Sequence, residues 1–440
     1  MKKKILKALI VLAIPTIIEQ ILSTLMQYVD TAMVGGLGEQ ATAAVSVTTT
    51  ITWLINSLAS AIAVAVLAMI SKAVGEKNEG DIKSISKQAL FLVVICGVIT
   101  GSISIILSPF IPRWMGAEKV IWHNASKYFL IISIPMIFRE ASTILGAALR
   151  ATKNTRLPML INMAANIVNV VLNIVFIYLL KMGVVGAAIA SAVSYTISGM
   201  LMFIAYRKNK YLYWEYGSFE INRKKLKECA EIGIPVLGTN ITSCLGYVVF
   251  AALVSGMGTT IFAAHSLAVT AETIFYIPGY GLRTATSTMV GISLGEKNKD
   301  KFETVSILSV IVTVIMMCVT GVLLYLSAHP LMRMLTSSQS AASLGGDMLK
   351  LVAFTEPFFG LMIVMEGILY GLGHTKYAFV VETFCMWGIR ILFTAICVKI
   401  WHLSLTSVWY CMIADNICKA LLLTVPMMSK KRRSKLFLYK

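Results

Sequence analysis

Two polar stripes run through otherwise apolar segments, and their residue types suit the binding of a small cation or a proton. The first joins Glu19, Ser23, Gln27 and Asp30, spaced 4, 4 and 3 apart, which is one face of a helix. The second joins Asn162, Asn166, Asn169 and Asn173, spaced 4, 3 and 4 apart. Carboxylate, amide and hydroxyl oxygens are the ligands a hard cation prefers, and a carboxyl set among amides suits proton exchange. If these segments cross a membrane, a charged group at mid-depth costs roughly 2.5–3.5 kcal/mol on insertion scales and is a functional candidate by default. The structural alternative for the amides is hydrogen bonding between helices, worth only about 0.6 kcal/mol per bond, and it must account for some of them. For Asp30 the alternative is an aspartate near a helix end that reaches water.

Four further acids fall inside apolar runs: Glu272, Glu356, Glu366 and Glu382. Glu272 precedes Pro278-Gly279, an expected kink, and is read either as a substrate or proton carboxylate or as the partner of a buried base. Glu356 is a second candidate carboxylate, and Glu366 a weaker one. Among the bases, Asp415 and Lys419 are four apart and expected to pair. Arg139 is expected to be neutralised by the adjacent Glu140 or a neighbour, and Arg283 to snorkel toward water. Arg390 could reach Glu382. Methionines together with Tyr247, Tyr276, Phe358 and Phe359 could line an adaptable apolar cavity, although such residues inside helices usually serve packing.

These residues need membrane helices to hold them, and the composition supplies them. The chain has 440 residues, of which 57% are hydrophobic and 14% charged; soluble chains run nearer 45–50% and about 25%. Apolar runs long enough to cross a ~30 Å hydrocarbon core fall near 7–34, 42–71, 88–110, 124–148, 157–180, 184–206, 229–254, 262–292, 304–328, 346–370, 376–399 and 404–427. At ~1.5 Å per residue Asp30 lies roughly 35 Å from Lys7, in the outer half of the first span. The basic start continues into an apolar run through Glu19 and Gln20 without a small-residue cleavage site, so it reads as that span and not as a signal peptide.

The net charge of +18 is sorted by loop, with most of the 39 Lys and Arg in every second connection. That asymmetry is the positive-inside rule and places both termini and the central loop in the cytoplasm. Attraction to anionic lipid explains the charge, and no nucleic-acid partner is expected. The eight cysteines form no Cys-x-x-Cys pair and read as small packing residues, with neither disulfide nor metal expected beyond a sodium ion at Asp30.

The chain repeats itself. Ile14-Pro15 recurs as Ile234-Pro235, Gly38 as Gly258, Ser46 as Ser266, Gly75-Glu76-Lys77-Asn78 as Gly295-Glu296-Lys297-Asn298, and Thr155 as Thr375, always 220 residues apart. Two six-helix lobes of the same orientation follow, at 1–206 and 228–440, joined by a cytoplasmic linker at 207–227. Their expected relation is an axis along the membrane normal, with a cavity between them. The fold class is therefore an all-α polytopic membrane protein of twelve transmembrane helices, placed in the cell (inner) membrane as a monomer among its lipids.

Three segments now carry a resemblance: Asp30-Thr31-Ala32-Met33-Val34-Gly35 with Leu37-Gly38, the repeated Gly-Glu-Lys-Asn loop, and Leu149 to Pro158, LRATKNTRLP. Together they resemble the multidrug and toxic-compound extrusion (MATE) transporters, closest to the branch typified by DNA-damage-inducible protein F. The resemblance implies a cation-coupled antiporter that exchanges protons or sodium for amphipathic, cationic or neutral small molecules by alternating access. It also implies a cation or proton site at the positions of Asp30, Asn169, Asn173 and Ser191. Asn173 departs from the pattern, because relatives in that branch carry an acid there; one carboxylate instead of two weakens a sodium site and tilts the expectation toward protons. Another branch places acids on spans seven and ten; here span seven offers Thr242 and Ser243, and only Glu356 falls near the span-ten position.

Other classes fare worse. No Gly-x-x-x-x-Gly-Lys-Ser/Thr loop is present for ATP, no hydrolase motif appears, and the five histidines are scattered, so no enzyme and no cofactor is expected. The alternative within this architecture is a flippase for a lipid-linked precursor, which would show cationic residues in its cavity for pyrophosphate. The proposed site itself does not repeat, since Asp30, Asn169, Asn173 and Ser191 map to Phe250, Ile389, Phe393 and Cys411.

Overall fold

The computed structural model of the protein describes residues 2–214, 220–428 and 433, and every element among them is helical. In chain order these are α1 (Lys2–Gly35), α2 (Glu39–Glu76), α3 (Glu79–Leu107), the single turn α4 (Ile111–Trp114), α5 (Lys119–Ser133), α6 (Met136–Ala151), α7 (Arg156–Asn173) and α8 (Gly183–Lys208). The second series is α9 (Arg223–Ser255), α10 (Thr259–Gly295), α11 (Lys299–Leu335), α12 (Gln339–Ala353), α13 (Glu356–Gly371), α14 (Thr375–Cys385), α15 (Leu392–Lys399) and α16 (Leu405–Thr424). Wider π turns extend α7 over Ile174–Leu179 and join α14 to α15 over Met386–Ile391.

Ten helical spans are long and apolar enough to cross a membrane, and two bent pairs bring the number to twelve. The bent pairs correct the expected continuous spans at 124–148 and 346–370. α5 meets α6 at 53° and α12 meets α13 at 58°, and all four helices keep the spacing of 220. Proline explains the breaks, since it has no N–H for the helix ladder and crowds the preceding turn. Pro135 caps α6, and Pro357 stands in the first turn of α13. Pro15, Pro235, Pro278 and Pro330 stay inside continuous helices.

The repeated Gly-Glu-Lys-Asn loop is a stop-and-start device. Lys77 and Lys297 take left-handed φ angles of 55° and 53°, which ends one helix. The next residue then starts another: Asn78 accepts a hydrogen bond from the Asp81 amide at 3.1 Å, and Asn298 accepts one from the Lys301 amide at 2.9 Å. Such a cap is worth about 1 kcal/mol. Gly38 and Gly258, with φ of 106° and 119°, occupy backbone that L side chains rarely adopt. These signals are local, so they survive repetition in full.

The chain folds as two compact units, Ile18–Leu237 and the remainder. The boundaries do not fall at the linker expected over 207–227. They lie inside α1 and α9, two residues beyond Pro15 and Pro235. The beginning of the linker is part of the first unit because it is docked there. Leu212 is buried, its carbonyl accepts from Ser86 Oγ at 2.8 Å, and Tyr206 donates to the Ser86 carbonyl at 2.6 Å. Further on, Gln88 donates to the Glu220 carbonyl at 2.8 Å, and Lys225 pairs with Asp81 at 3.1 Å.

Within that unit α2 contributes small core residues, among them Ala63, Ala65, Ala68 and Ala73, against Ile82 and Ile85 of α3 and Ile144 and Leu145 of α6. Glycines let α6 lie close to two neighbours. A Cβ on Gly97 of α3 would stand 2.6 Å from Ile137 Cα, and one on Gly199 of α8 would overlap the Phe138 carbonyl. Gly199→Ala should therefore lower stability by roughly 1–3 kcal/mol, read as a drop in melting temperature of the purified protein in detergent. Gly80→Ala, in the first turn of α3 with its nearest neighbour atom at 3.5 Å, is the control. Equal melting of the two variants would show that backbone contact does not limit the α6–α8 approach.

Candidate functional site

The first unit brings Asp30, Asn169, Asn173 and Ser191 together. α1 carries the acid, α7 presents both amides one turn apart, and α8 supplies the hydroxyl. Asn173 Nδ2 donates to Asp30 Oδ1 at 2.7 Å and to Asn169 Oδ1 at 3.0 Å. Asn169 sets the end of its amide 2.7 Å from Asp30 Oδ1 and 3.2 Å from Oδ2. With nitrogen turned to the acid, it donates to the carboxylate but faces the Asn173 nitrogen at 3.0 Å and loses the hydrogen bond from Asn173. With oxygen turned to the acid, its nitrogen donates to Ser191 Oγ at 3.4 Å. Asn173 Oδ1 is buried without a hydrogen-bond partner. The cluster thus offers carboxylate, amide and hydroxyl oxygens, a donor set that a hard cation accepts and that a proton fits equally well.

The asparagine stripe divides between two tasks. Asn162 donates to Glu19 Oε1 at 2.6 Å, and Arg150 Nη2 reaches the same oxygen at 2.6 Å. Ser142 and Ser198 in turn donate to the Asn162 oxygen at 3.2 and 3.0 Å. This end of both stripes is a hydrogen-bonded strut binding α1, α6, α7 and α8. Only the other end forms the Asp30 cluster.

Asp30, Asn173 and Ser191 open onto a cavity of ≈ 470 Å³ within the same unit. Its wall also holds Tyr128, Tyr195 and Arg139. The expectation that Arg139 is neutralised by Glu140 does not hold at contact range: it forms no ion pair among the described residues. Its guanidinium lies over the Tyr195 ring, 4.7 Å from the centroid, and Nη1 is buried with no hydrogen-bond partner. Glu140 instead accepts from Thr100 at 3.4 Å. Glu140 still lies near enough for the Arg139 charge to act on it, so the expected neutralisation acts through space and not by contact.

In the second unit most buried charges have partners. Lys419 contacts Asp415 at 3.1 Å as expected, and also Glu382 at 3.3 Å. Arg390 pairs with Asp415 at 2.8 Å and donates to Asn416 at 3.0 Å, not with Glu382. Arg283 does not merely snorkel: it meets Glu366 at 2.6 Å, and Tyr370 donates to the same carboxylate at 2.5 Å. Glu356 stands apart. Its two oxygens are buried without a hydrogen-bond partner, and the charge close enough to act on it is that of Glu272, itself 7% exposed. Glu272 in turn feels Arg390. The eight cysteines are all free, with Cys397 and Cys411 sulfurs 3.9 Å apart, and no metal-ligating trio exists among the described residues.

The family model MatE matches residues 15–175 and again 235–396, once for each copy of the repeat. The chain belongs to the MatE family. MatE proteins are membrane transporters, not enzymes. NorM of Thermotoga maritima, described as a probable multidrug resistance protein, is 25% identical over 95% of this chain and 91% of its own. YpnP of Bacillus subtilis, described in the same words, is 26% identical over 89% and 88%. Among solved structures, a MOP superfamily transporter from Pyrococcus furiosus superposes with a TM-score of 0.92 at 22% identity, covering 98% of this chain and 96% of its own. A mutant of the Vibrio cholerae MATE transporter VcmN does so with 0.92 at 18% identity, covering 99% of each. These likenesses establish the MatE fold.

The paired charges of the second unit are structural in this arrangement. Lys419→Met should destabilise the MatE protein by roughly 3–5 kcal/mol, because it leaves Glu382 and Asp415 buried with one cation fewer. Thermal unfolding in detergent measures this, and adding Glu382→Gln should restore part of the loss. A single variant as stable as wild type would rule the network out as a stabilising element.

Proposed function

We propose that this MatE protein is a cation-coupled antiporter that exports amphipathic small molecules by alternating access, taking its coupling ion at Asp30. The observation that carries the reading is the Asp30–Asn169–Asn173–Ser191 cluster in the wall of a cavity large enough for a small molecule. An ion and a substrate that occupy one cavity can exclude each other, which is the requirement for exchange. Coupling also demands that the ion bind the inward- and outward-facing states with different affinity. The multidrug resistance names of the NorM and YpnP relatives support export of varied compounds.

Protons are favoured over sodium as the coupling ion. The Asn169 amide can answer both forms of the acid by turning over: oxygen toward a neutral Asp30 that donates its proton across 2.7 Å, keeping the hydrogen bond from Asn173, or nitrogen toward an ionised one, giving that bond up. Sodium would have to share one carboxylate, since Asn173 supplies no second charge. The four positions also favour the branch typified by DNA-damage-inducible protein F, with that departure at Asn173. A flippase for a lipid-linked pyrophosphate is not favoured, because the cavity wall opposes its one arginine with an aspartate. The loop charge supports a cytoplasmic side for both termini and the 207–227 linker, and we read the protein as a monomer in the cell membrane.

Transport in proteoliposomes under imposed proton or sodium gradients tests the reading. Wild type should expel a fluorescent cationic dye on a proton gradient, and Asp30→Asn should lose at least tenfold of that rate. Undiminished gradient-driven export by Asp30→Asn would remove the ion from this site. Asn173→Asp, by adding a second carboxylate, should raise sodium-driven export several-fold over wild type; no gain would argue that these oxygens do not face a common ion.

A further inference from the structure

We propose that Cys397 and Cys411 are a redox modification site: a dithiol at the outer end of the second unit that a disulfide-bearing oxidant closes into a cross-link between α15 and α16. The sequence holds no Cys-x-x-Cys pair and gives no reason to expect a disulfide. The helical hairpin brings together two thiols 14 residues apart in the chain and sets their sulfurs 3.9 Å from each other. Both thiols are free and each residue is 8% exposed. Bonded sulfurs stand about 2.05 Å apart, so the gap to be closed is small enough for turns about the two Cα–Cβ bonds.

The backbone holds the two thiols in this position. The Ile400 and Trp401 amides donate to the Ile396 carbonyl at 3.0 and 3.1 Å, and the Leu403 amide donates to the Cys397 carbonyl at 2.9 Å. The connecting turn is thereby folded back onto the end of α15, and α16 starts at once with Leu405. Cys397 stands two residues before the end of α15 and Cys411 six residues after the start of α16. At ~1.5 Å per residue these are depths of roughly 3 and 9 Å below the helix ends. The turn follows the eleventh span, so with cytoplasmic termini it faces the outside, where disulfides form and persist.

Closure proceeds by exchange. One cysteine thiolate attacks a sulfur of the oxidant, forming a mixed disulfide and expelling one thiolate. The second cysteine thiolate attacks the protein sulfur of that mixed disulfide, forming the Cys397–Cys411 bond and expelling the other half. Two electrons pass from the cysteines to the oxidant, and the two cysteine protons end on the expelled thiols. The bond would lie on the seam that carries the buried charges. Arg390, seven residues before Cys397, meets Asp415, four residues after Cys411, at 2.8 Å. A cross-link at the outer end of the seam would fix its register, hold Arg390 to Asp415 and restrict the unfolded chain. The oxidised form is therefore the more stable one.

The test treats the full-length protein in detergent with 2-hydroxyethyl disulfide, a small neutral oxidant, and compares it with protein kept reduced by a phosphine. Trypsin cuts after Arg390, Lys399 and Lys419, so Cys397 falls in peptide 391–399 and Cys411 in peptide 400–419 together with Cys418. Mass spectrometry without reduction should find these two peptides linked in most of the oxidised protein. Fragment ions between Cys411 and Cys418 should place the link at Cys411, and Cys418→Ser should keep it. The oxidised wild type should melt several degrees above the reduced form, and Cys397→Ser should lose that difference. The exposed Cys318 reports that the oxidant works, by gaining a mixed disulfide. A modified Cys318 beside unlinked peptides would overturn the site and leave the pair as a packing contact only. A link through Cys418 would overturn the assignment, and a link without a rise in melting temperature would overturn the stabilising role.

Discussion

A lipid bilayer offers no water to a buried polar group, so every backbone amide, hydroxyl and charge at that depth must find its partner within the protein. The helices satisfy the backbone. Side chains are satisfied by pairing across helices: Glu19 with Arg150 and Asn162, Arg283 with Glu366 and Tyr370, and Arg390, Asp415, Lys419 and Glu382 in one chain. Asp30 is met by neutral amides, and Arg139 and Glu356 are among the residues that hold buried polar atoms with no hydrogen-bond partner. Asp30 and Arg139 border the same cavity.

The two copies of the repeat share a backbone but not a chemistry. Helix caps, left-handed turns and bent pairs recur at a spacing of 220, because each depends on a few adjacent residues. The side chains at equivalent positions diverge. Phe250 stands where Asp30 does in the first copy, and it packs against His265 and beneath Arg390. The π turns diverge as well. In the first copy the turn follows Asn173 and extends the helix beyond the cluster, whereas in the second it contains Arg390. A π turn inserts an extra residue and rotates the remainder of the helix; in the second copy Arg390 faces Asp415 on α16. The first unit is thereby left with an open polar cavity and the second with a closed network of charges.

Glu356 and Glu272 stand apart from the ion-paired acids of the second unit: Glu356 senses the charge of Glu272, and Glu272 that of Arg390. Their placement on α13 and α10 makes them part of the second unit's core and not of the cavity in which the transport chemistry is assigned.

The sequence by itself determined the membrane class, the repeat, the helix ends and the faces on which polar residues lie. Apolar run length, turn residues and a period of 3.6 are local properties, and no tertiary information is needed to read them. The cluster of Asp30 with Asn169, Asn173 and Ser191 was legible only because each stripe marks one face and a family resemblance supplied the pairing. Tertiary structure alone decided what opposes each face. It separated Asn162 from the rest of its stripe, laid Arg139 on the Tyr195 ring, and docked Leu212 against α3. Partners such as Glu19 and Asn162 lie 143 residues apart. Periodicity shows which way a side chain points, but only the packing of distant helices shows what it meets.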